Sequence, residues 1–320
     1  MKLDNIFDNK QVFSLEVFPP KRDMPIDTIY KTLDELSEIK PAFISVTYGA
    51  GGSENCAATL EIASTIKNKY GIEAVAHLPG INLTKADVVN MLDDFKKNGI
   101  QNILALRGDG NPETEPVGDF NHADELVRFI KEHGDFHVAG ACYPEGHAES
   151  ENLITDIKYL KQKVDAGCDH LISQLFFDND HFYRFRERCD LAGINVPIEA
   201  GIMPVLNKKQ IERKKDLRPV PFTKGKSFFG AERKSAFRGR GSRRDRGVAL
   251  SALAARTAKK GLLLYGASRI RKRISDQTVL LFQLQKACAS GERGGISVLM
   301  TIAYYGNCIS SLRKRNTVFG

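Results

Sequence analysis

Ala42-Phe43-Ile44-Ser45-Val46-Thr47-Tyr48 decides the fold of this chain. Alternation along a strand puts Ile44 and Val46 on one face and Phe43 on the other, so neither face suits water. A strand apolar on both faces belongs to a parallel sheet covered on both sides. Six further runs accompany it: Val12–Phe18, Glu73–Pro79, Asn102–Gly108, His137–Pro144, His170–Phe177 and Val196–Pro204. Successive starts lie 26 to 35 residues apart, the length of a strand, a covering helix and two loops.

The intervening stretches read as helices with recognisable ends. Ile26, Ile29, Tyr30, Leu33, Leu36 and Ile39 keep a helical period, with Pro25 before them and Pro41 after. Thr84 with Asp87 three residues on forms a capping-box pattern ahead of Val88, Met91, Leu92 and Phe95, and Gly99 closes that helix. Leu153, Ile154, Ile157, Leu160 and Val164 make another apolar face ending at Gly167, and Asp178 is positioned to cap a helix running to Gly193. Seven βα units favour a (β/α)₈ TIM-type barrel over a doubly wound sheet. No G-x-G-x-x-G follows any strand, and the Gly49-Ala50-Gly51-Gly52 loop lacks the Lys-Ser/Thr of a phosphate loop. The eighth strand and the final helices are not legible; Gly261–Tyr265 matches a late strand only weakly.

Composition narrows the class. Apolar residues are 42% of the 320, enough for a large core, and no apolar run reaches membrane-spanning length. The start lacks a secretory pattern, and the six cysteines form no C-x-x-C pair, so a reducing, cytoplasmic setting is expected. The net charge of +8 conceals two unlike regions. Residues 1–213 carry 23 Lys and Arg against 34 Asp and Glu, a net of −11, whereas residues 214–320 carry 24 against 5, a net of +19. The basic character therefore says nothing about the barrel.

In a barrel the loops after the strands converge on one face, where chemistry gathers. Glu16 lies within an apolar strand; a carboxyl there suits a proton donor, and equally a structural ion pair. Asp109 follows the fourth strand as a site residue or as a plain turn aspartate. Gln174 ends the sixth as a ligand contact or as a core amide with satisfied hydrogen bonds. His77 and His147 read as structural more readily than as ligands, and no His or carboxylate pair has metal-ligand spacing, so no metal is expected. Physical reading alone reaches a barrel enzyme with a general acid.

Six motifs in order resemble the methylenetetrahydrofolate reductase family over about residues 5–213: Ser14-Leu-Glu-Val-Phe-Pro-Pro20, Ser45-Val-Thr-Tyr-Gly-Ala50, Ala105-Leu-Arg-Gly-Asp109, Ala141-Cys-Tyr-Pro-Glu-Gly-His147, Lys161-Gln-Lys-Val-Asp-Ala-Gly167 and Gln174-Leu-Phe-Phe-Asp178. The resemblance implies an FAD enzyme that takes a hydride from NADH or NADPH and passes it to methylenetetrahydrofolate in a ping-pong cycle. The product would be 5-methyltetrahydrofolate for methionine synthesis. It assigns Glu16 as the general acid, and Asp109 as the carboxylate beside flavin and pterin. Gln174 falls on a folate and nicotinamide contact, Gln210 on a substrate-side position and Thr47 on a nicotinamide-nucleotide contact. Tyr48, Ala50, His77, Arg107, Gly108, Tyr143, His147, Asp156 and Lys163 fall on FAD positions, as do Ala123, Ser150, Tyr159 and Gln162. The implied partners are the folate and a nicotinamide nucleotide, without membrane or nucleic acid; a homo-oligomer is compatible with the sequence.

The likeness ends after Arg213. Residues 214–320 allow three readings: a basic extension binding RNA through its Arg238-Gly-Arg-Gly-Ser-Arg-Arg-Asp-Arg-Gly247 run, a divergent ending that still closes the barrel, or a reading-frame disturbance near codon 213. The third explains why motif, acidic residues and charge balance all change at one point. Without an eighth strand the expectation is a barrel with two open edges, a poorly ordered ending and impaired catalysis. A nucleic-acid-binding protein built on such a barrel is the alternative function.

Overall fold

The computed structural model describes residues 1–8, 12–20, 26–48, 53–108, 119–176, 179–202 and 297–302, with backbone only for 53–56 and 297–302. Eight parallel strands close a barrel in chain order: β1 (Phe13–Val17), β2 (Phe43–Val46), β3 (Glu73–Pro79), β4 (Asn102–Leu106), β5 (His137–Cys142), β6 (His170–Ser173), β7 (Ile198–Ile202) and β8 (Ser297–Ile302). Six helices alternate with the first seven: α1 (Asp27–Ser37), α2 (Ser53–Asn68), α3 (Lys85–Lys97), α4 (Ala123–His133), α5 (Leu153–Asp165) and α6 (Asn179–Leu191). Each of the seven strands read from the sequence falls within its expected run.

Two apolar layers explain why the strands are apolar on both faces. Phe43 joins Leu3, Val12, Val75, Leu104, Ala139 and Ile172 inside the barrel. Its neighbours Ile44 and Val46 point outward and pack under the helices with Leu33, Leu36, Leu92 and Phe95. Each large side chain so buried contributes roughly 1.5–3 kcal/mol. The helix ends follow their local chemistry. Thr84 and Asp87 close a reciprocal capping box on α3, and Gly99 takes the left-handed φ of +74° beyond its end. Asn152, unremarked in the sequence, caps α5 by accepting from the amides of Ile154 and Thr155. Asp178 lies outside the described residues.

The barrel closes. β8 pairs in parallel with β1 from Phe13↔Val298 to Val17↔Ile302, and with β7 from Glu199↔Ser297 to Ile202↔Met300. This corrects the expectation of two open edges. The closing run, Ser-Val-Leu-Met-Thr-Ile, has ordinary strand composition. It was missed because it lies far beyond the spacing set by the first seven strands, and Gly261–Tyr265 lies outside the described residues. Among the described residues no helix is long and apolar enough to cross a membrane.

Candidate active site

Alternation sends Ser14 and Glu16 of β1, Ser45 of β2 and His77 of β3 into the barrel interior. Glu16 Oε2 stands 3.6 Å from His77 Nε2 at the upper, C-terminal half of the strands. Burial alone depresses His77 to about 3, so the ring is neutral and the pair is a polar contact instead of a salt bridge. His77 Nε2 is buried and has no hydrogen-bond partner. A polar atom in that condition suits a polar group arriving from the strand-end side.

The other expected residues sort by position. Thr47 is fixed by its backbone: its amide donates to Val17 O at 3.0 Å and its carbonyl accepts from Thr59 Oγ1 at 3.1 Å. Tyr48 is half-buried beside the outer core. Arg107, just past β4, makes a two-pronged contact with Glu149, the Nη2–Oε1 arm measuring 2.8 Å. The guanidinium hydrogen bonds hold Glu149 below the usual carboxylate range. Gly108 has φ +92°, and a Cβ there would press on Pro79 and Ile81 at 3.0 Å, so glycine is required on both counts.

After β5 the rings of Tyr143 and His147 meet edge to face, with centroids 4.6 Å apart. The buried Asp156 organises the same loop, accepting from Ser150 Oγ at 2.8 Å and from the His147 amide at 3.2 Å. Lys163 reaches back from α5 to donate to Ala141 O at 2.8 Å. Gln174, past β6, is exposed; its backbone N–H donates to Cys142 O at 2.7 Å and its side-chain Oε1 accepts from the Leu175 backbone N–H at 2.9 Å. The bland reading of Gln174 as a core amide is therefore wrong. Ala123 opens α4, while Tyr159 and Gln162 lie exposed on α5. Ala50, Asp109 and Gln210 lie outside the described residues.

A model of the family described as methylenetetrahydrofolate reductase matches residues 2–223. The chain belongs to the methylenetetrahydrofolate reductase family. It is similar to 5,10-methylenetetrahydrofolate reductase of Escherichia coli K12, with 42% identity over 212 residues, 65% of this chain and 69% of that one. It is also similar to methylenetetrahydrofolate reductase (NADH) 1 of Arabidopsis thaliana, with 40% identity over 224 residues, 65% of this chain and 38% of that one. A solved structure of an uncharacterized Clostridium thermocellum protein that binds two copies of 5-methyl-5,6,7,8-tetrahydrofolic acid shares the fold. It has 11% identity and a TM-score of 0.56, covering 97% of this chain and 96% of that one.

The residues of this family member fit a flavin nucleotide in kind: an unpartnered buried nitrogen at His77, aromatic rings at Tyr143 and His147, and a cation at Arg107. Glu149, the partner of Arg107, had no sequence signal, because an acid in a polar loop is ordinary. One other cluster was missed. At the opposite, N-terminal end Asp4, His137 and Asp169 bring ligand-type atoms within 4.8 Å of one another. His137 is hydrogen-bonded through both nitrogens, and Lys131 Nζ stands 2.6 Å from Asp169 Oδ2. An ammonium group thus already neutralises the place a metal would take.

Proposed function

We propose that this chain reduces 5,10-methylenetetrahydrofolate to 5-methyltetrahydrofolate with NADH or NADPH and bound FAD, in two half-reactions at one site, in the cytoplasm and in support of methionine synthesis. The observation that carries the reading is Glu16, set inside the barrel against a neutral histidine at 3.6 Å. Bound FAD supplies the hydride acceptance and donation that no side chain offers. His77, Arg107, Gly108, Tyr143, His147, Asp156 and Lys163 are the residues to hold it, with Tyr48, Ala50, Ala123, Ser150, Tyr159 and Gln162 around them. Thr47 is assigned to the nicotinamide nucleotide, Gln174 and Gln210 to the substrates, and Asp109 to both pterin and flavin.

Glu16 then has one task. It gives its proton to the ring nitrogen of the folate that departs when the five-membered ring opens, so the carbon to be reduced becomes electrophilic. Neutral His77 beside it adds no positive charge that would strip that proton away. The test separates the half-reactions. In FAD-loaded full-length protein, Glu16→Gln should still be reduced by NADH at close to the parent rate, while its reoxidation by methylenetetrahydrofolate falls by about 10²–10⁴-fold. Equal loss of both half-reactions would make Glu16 structural. The nucleic-acid alternative rests on residues outside those described, and no observation favours it.

A further inference from the structure

Beneath Glu16 the barrel holds a second polar system that the proposed reaction does not use. His137 opens β5, His170 opens β6, Glu199 lies on β7 and Ser14 on β1, and all four are buried. Their contacts run end to end. Asp4 Oδ1 meets His137 Nδ1 at 2.8 Å, and His137 Nε2 meets His170 Nδ1 at 2.7 Å. His170 Nε2 faces Glu199 Oε2 at 3.7 Å, and Ser14 Oγ donates to Glu199 Oε1 at 3.1 Å. Asp4 lies at the exposed end, beside a cavity of about 360 Å³ on the N-terminal face that is also lined by Phe7, Lys131, His137, Cys168 and Asp169.

The two atoms that face each other at the inner step, His170 Nε2 and Glu199 Oε2, are both buried without a hydrogen-bond partner. Orphaned buried polar atoms are uncommon, and two aimed at one another call for a shared hydrogen. With Asp4 ionised, one assignment satisfies every group. His137 carries its hydrogen on Nδ1 and donates to Asp4, and His170 carries its own on Nδ1 and donates to His137 Nε2. Glu199 supplies the hydrogen opposite His170 Nε2, while its other oxygen accepts from Ser14.

We infer that Asp4, His137, His170 and Glu199 form a proton line opening on the N-terminal face, so that the carboxyl at its inner end exchanges with solvent below the barrel and not through the catalytic mouth. The line conserves protons. When Glu199 ionises, its hydrogen passes to His170 Nε2, the Nδ1 hydrogen of His170 passes to His137 Nε2, and that of His137 passes to Asp4, which releases it to water. Both rings end neutral with the hydrogen on Nε2. The return path runs the same hops backwards. The 3.7 Å step exceeds hydrogen-bond length, so His170 and Glu199 must draw together for that hop.

The surroundings favour a neutral line. Burial raises Glu199 to about 8 and holds His170 far below its usual value, and burial also lowers His137. The charged groups around the line are Asp4 with Lys2 at 3.1 Å, Asp169 at 3.9 Å from His137 Nδ1, and Lys131 on Asp169. Phe7 and Phe43 pack on the His170 ring. Glu16 and His77 stand above, and the facing strand β8 carries no titratable residue. The inference holds whatever reaction the upper end performs.

Histidine ¹⁵N resonance of the full chain across a pH series tests it. Both rings should exchange Nδ1–H for Nε2–H in one shared step near pH 8, with neither becoming charged. In Glu199→Gln the amide still donates to His170, so both rings should stay Nδ1-protonated throughout. Asp4→Asn, at the exposed end, should keep the fold and slow the pH-jump relaxation of the Glu199 carboxyl infrared band roughly tenfold, an added barrier of about 1.4 kcal/mol. Rings that hold one tautomer through the step, or an Asp4→Asn chain that relaxes as fast as the parent, would overturn the line.

Discussion

The two ends of the barrel interior carry similar residues under different constraints. At the upper end Glu16 and His77 lie below strand-end loops, where Arg107, Tyr143 and Gln174 remain half-buried or exposed. At the lower end His137, His170 and Glu199 are buried beside Leu3, Phe43 and the other interior apolar side chains, and of these three only His137 borders the N-terminal cavity. Under the proposed function, the carboxyl open to ligands exchanges a proton with a substrate. One buried at the foot of the barrel is governed by its desolvation and by the few atoms it touches. Residue type alone therefore does not separate the two roles; the side of the strand midpoint on which a residue stands does.

Substitutions can separate the ends further. The largest effect is expected at the top, where Glu16→Gln should slow the proposed folate half-reaction by about 10²–10⁴-fold while moving the thermal midpoint little. An equal fall in stability would erase the functional distinction. Next is Gly201→Ala on β7. An added Cβ would lie 2.0 Å from the backbone oxygen of Ser173, so β6 and β7 must part, at a cost of about 3 kcal/mol or more, read from a urea midpoint. A neutral result would show that the upper rim is slack.

The lower end should announce itself through pH. Glu199 is raised in the folded chain from 4.5 to about 8, so between these values the folded state binds more protons than the unfolded one. Stability then falls as pH rises, by up to about 1.4 kcal/mol per unit. His77, lowered from 6.5 to about 3, works in the opposite sense below 6.5. The Met1 ammonium, held below 8.0, opposes the fall only weakly because it is largely exposed. Midpoints should therefore decline from pH 6.5 to 8, and Glu199→Gln should flatten the decline. The smallest effect is assigned to Glu149→Gln, which removes the negative charge of Arg107's exposed partner and should shift stability by less than about 1 kcal/mol. A larger loss would mean that this ion pair holds the upper loops together.

Legibility followed the same division. Seven strands could be read because runs such as Ala42–Tyr48 must be apolar on both faces, and that demand is local. Glu16 stood out as a charge in an apolar run. The histidines of the lower line did not, since His137 and His170 open their strands and look like boundary residues until pairing sets His137 opposite Asn102 and His170 opposite Ala139. Glu199 was as conspicuous as Glu16, a carboxylate between Ile198 and Ala200, but its distance from any motif left it unread. The eighth strand was hidden for another reason. Its composition is ordinary, and only its pairing with β1 and β7 identifies it.

That last pairing has a consequence in time. Phe13 and Val298 are neighbours across the closing seam although 285 positions separate them along the chain. During synthesis β1 is made 285 residues ahead of its second neighbour and must wait for it while the intervening chain is made. Contacts of such long range form slowly, and an unpaired edge is open to other chains in the meantime. The seam between β1 and β8 is therefore the place where the yield of folded protein is decided, and chain concentration during folding is the variable to which it should respond most.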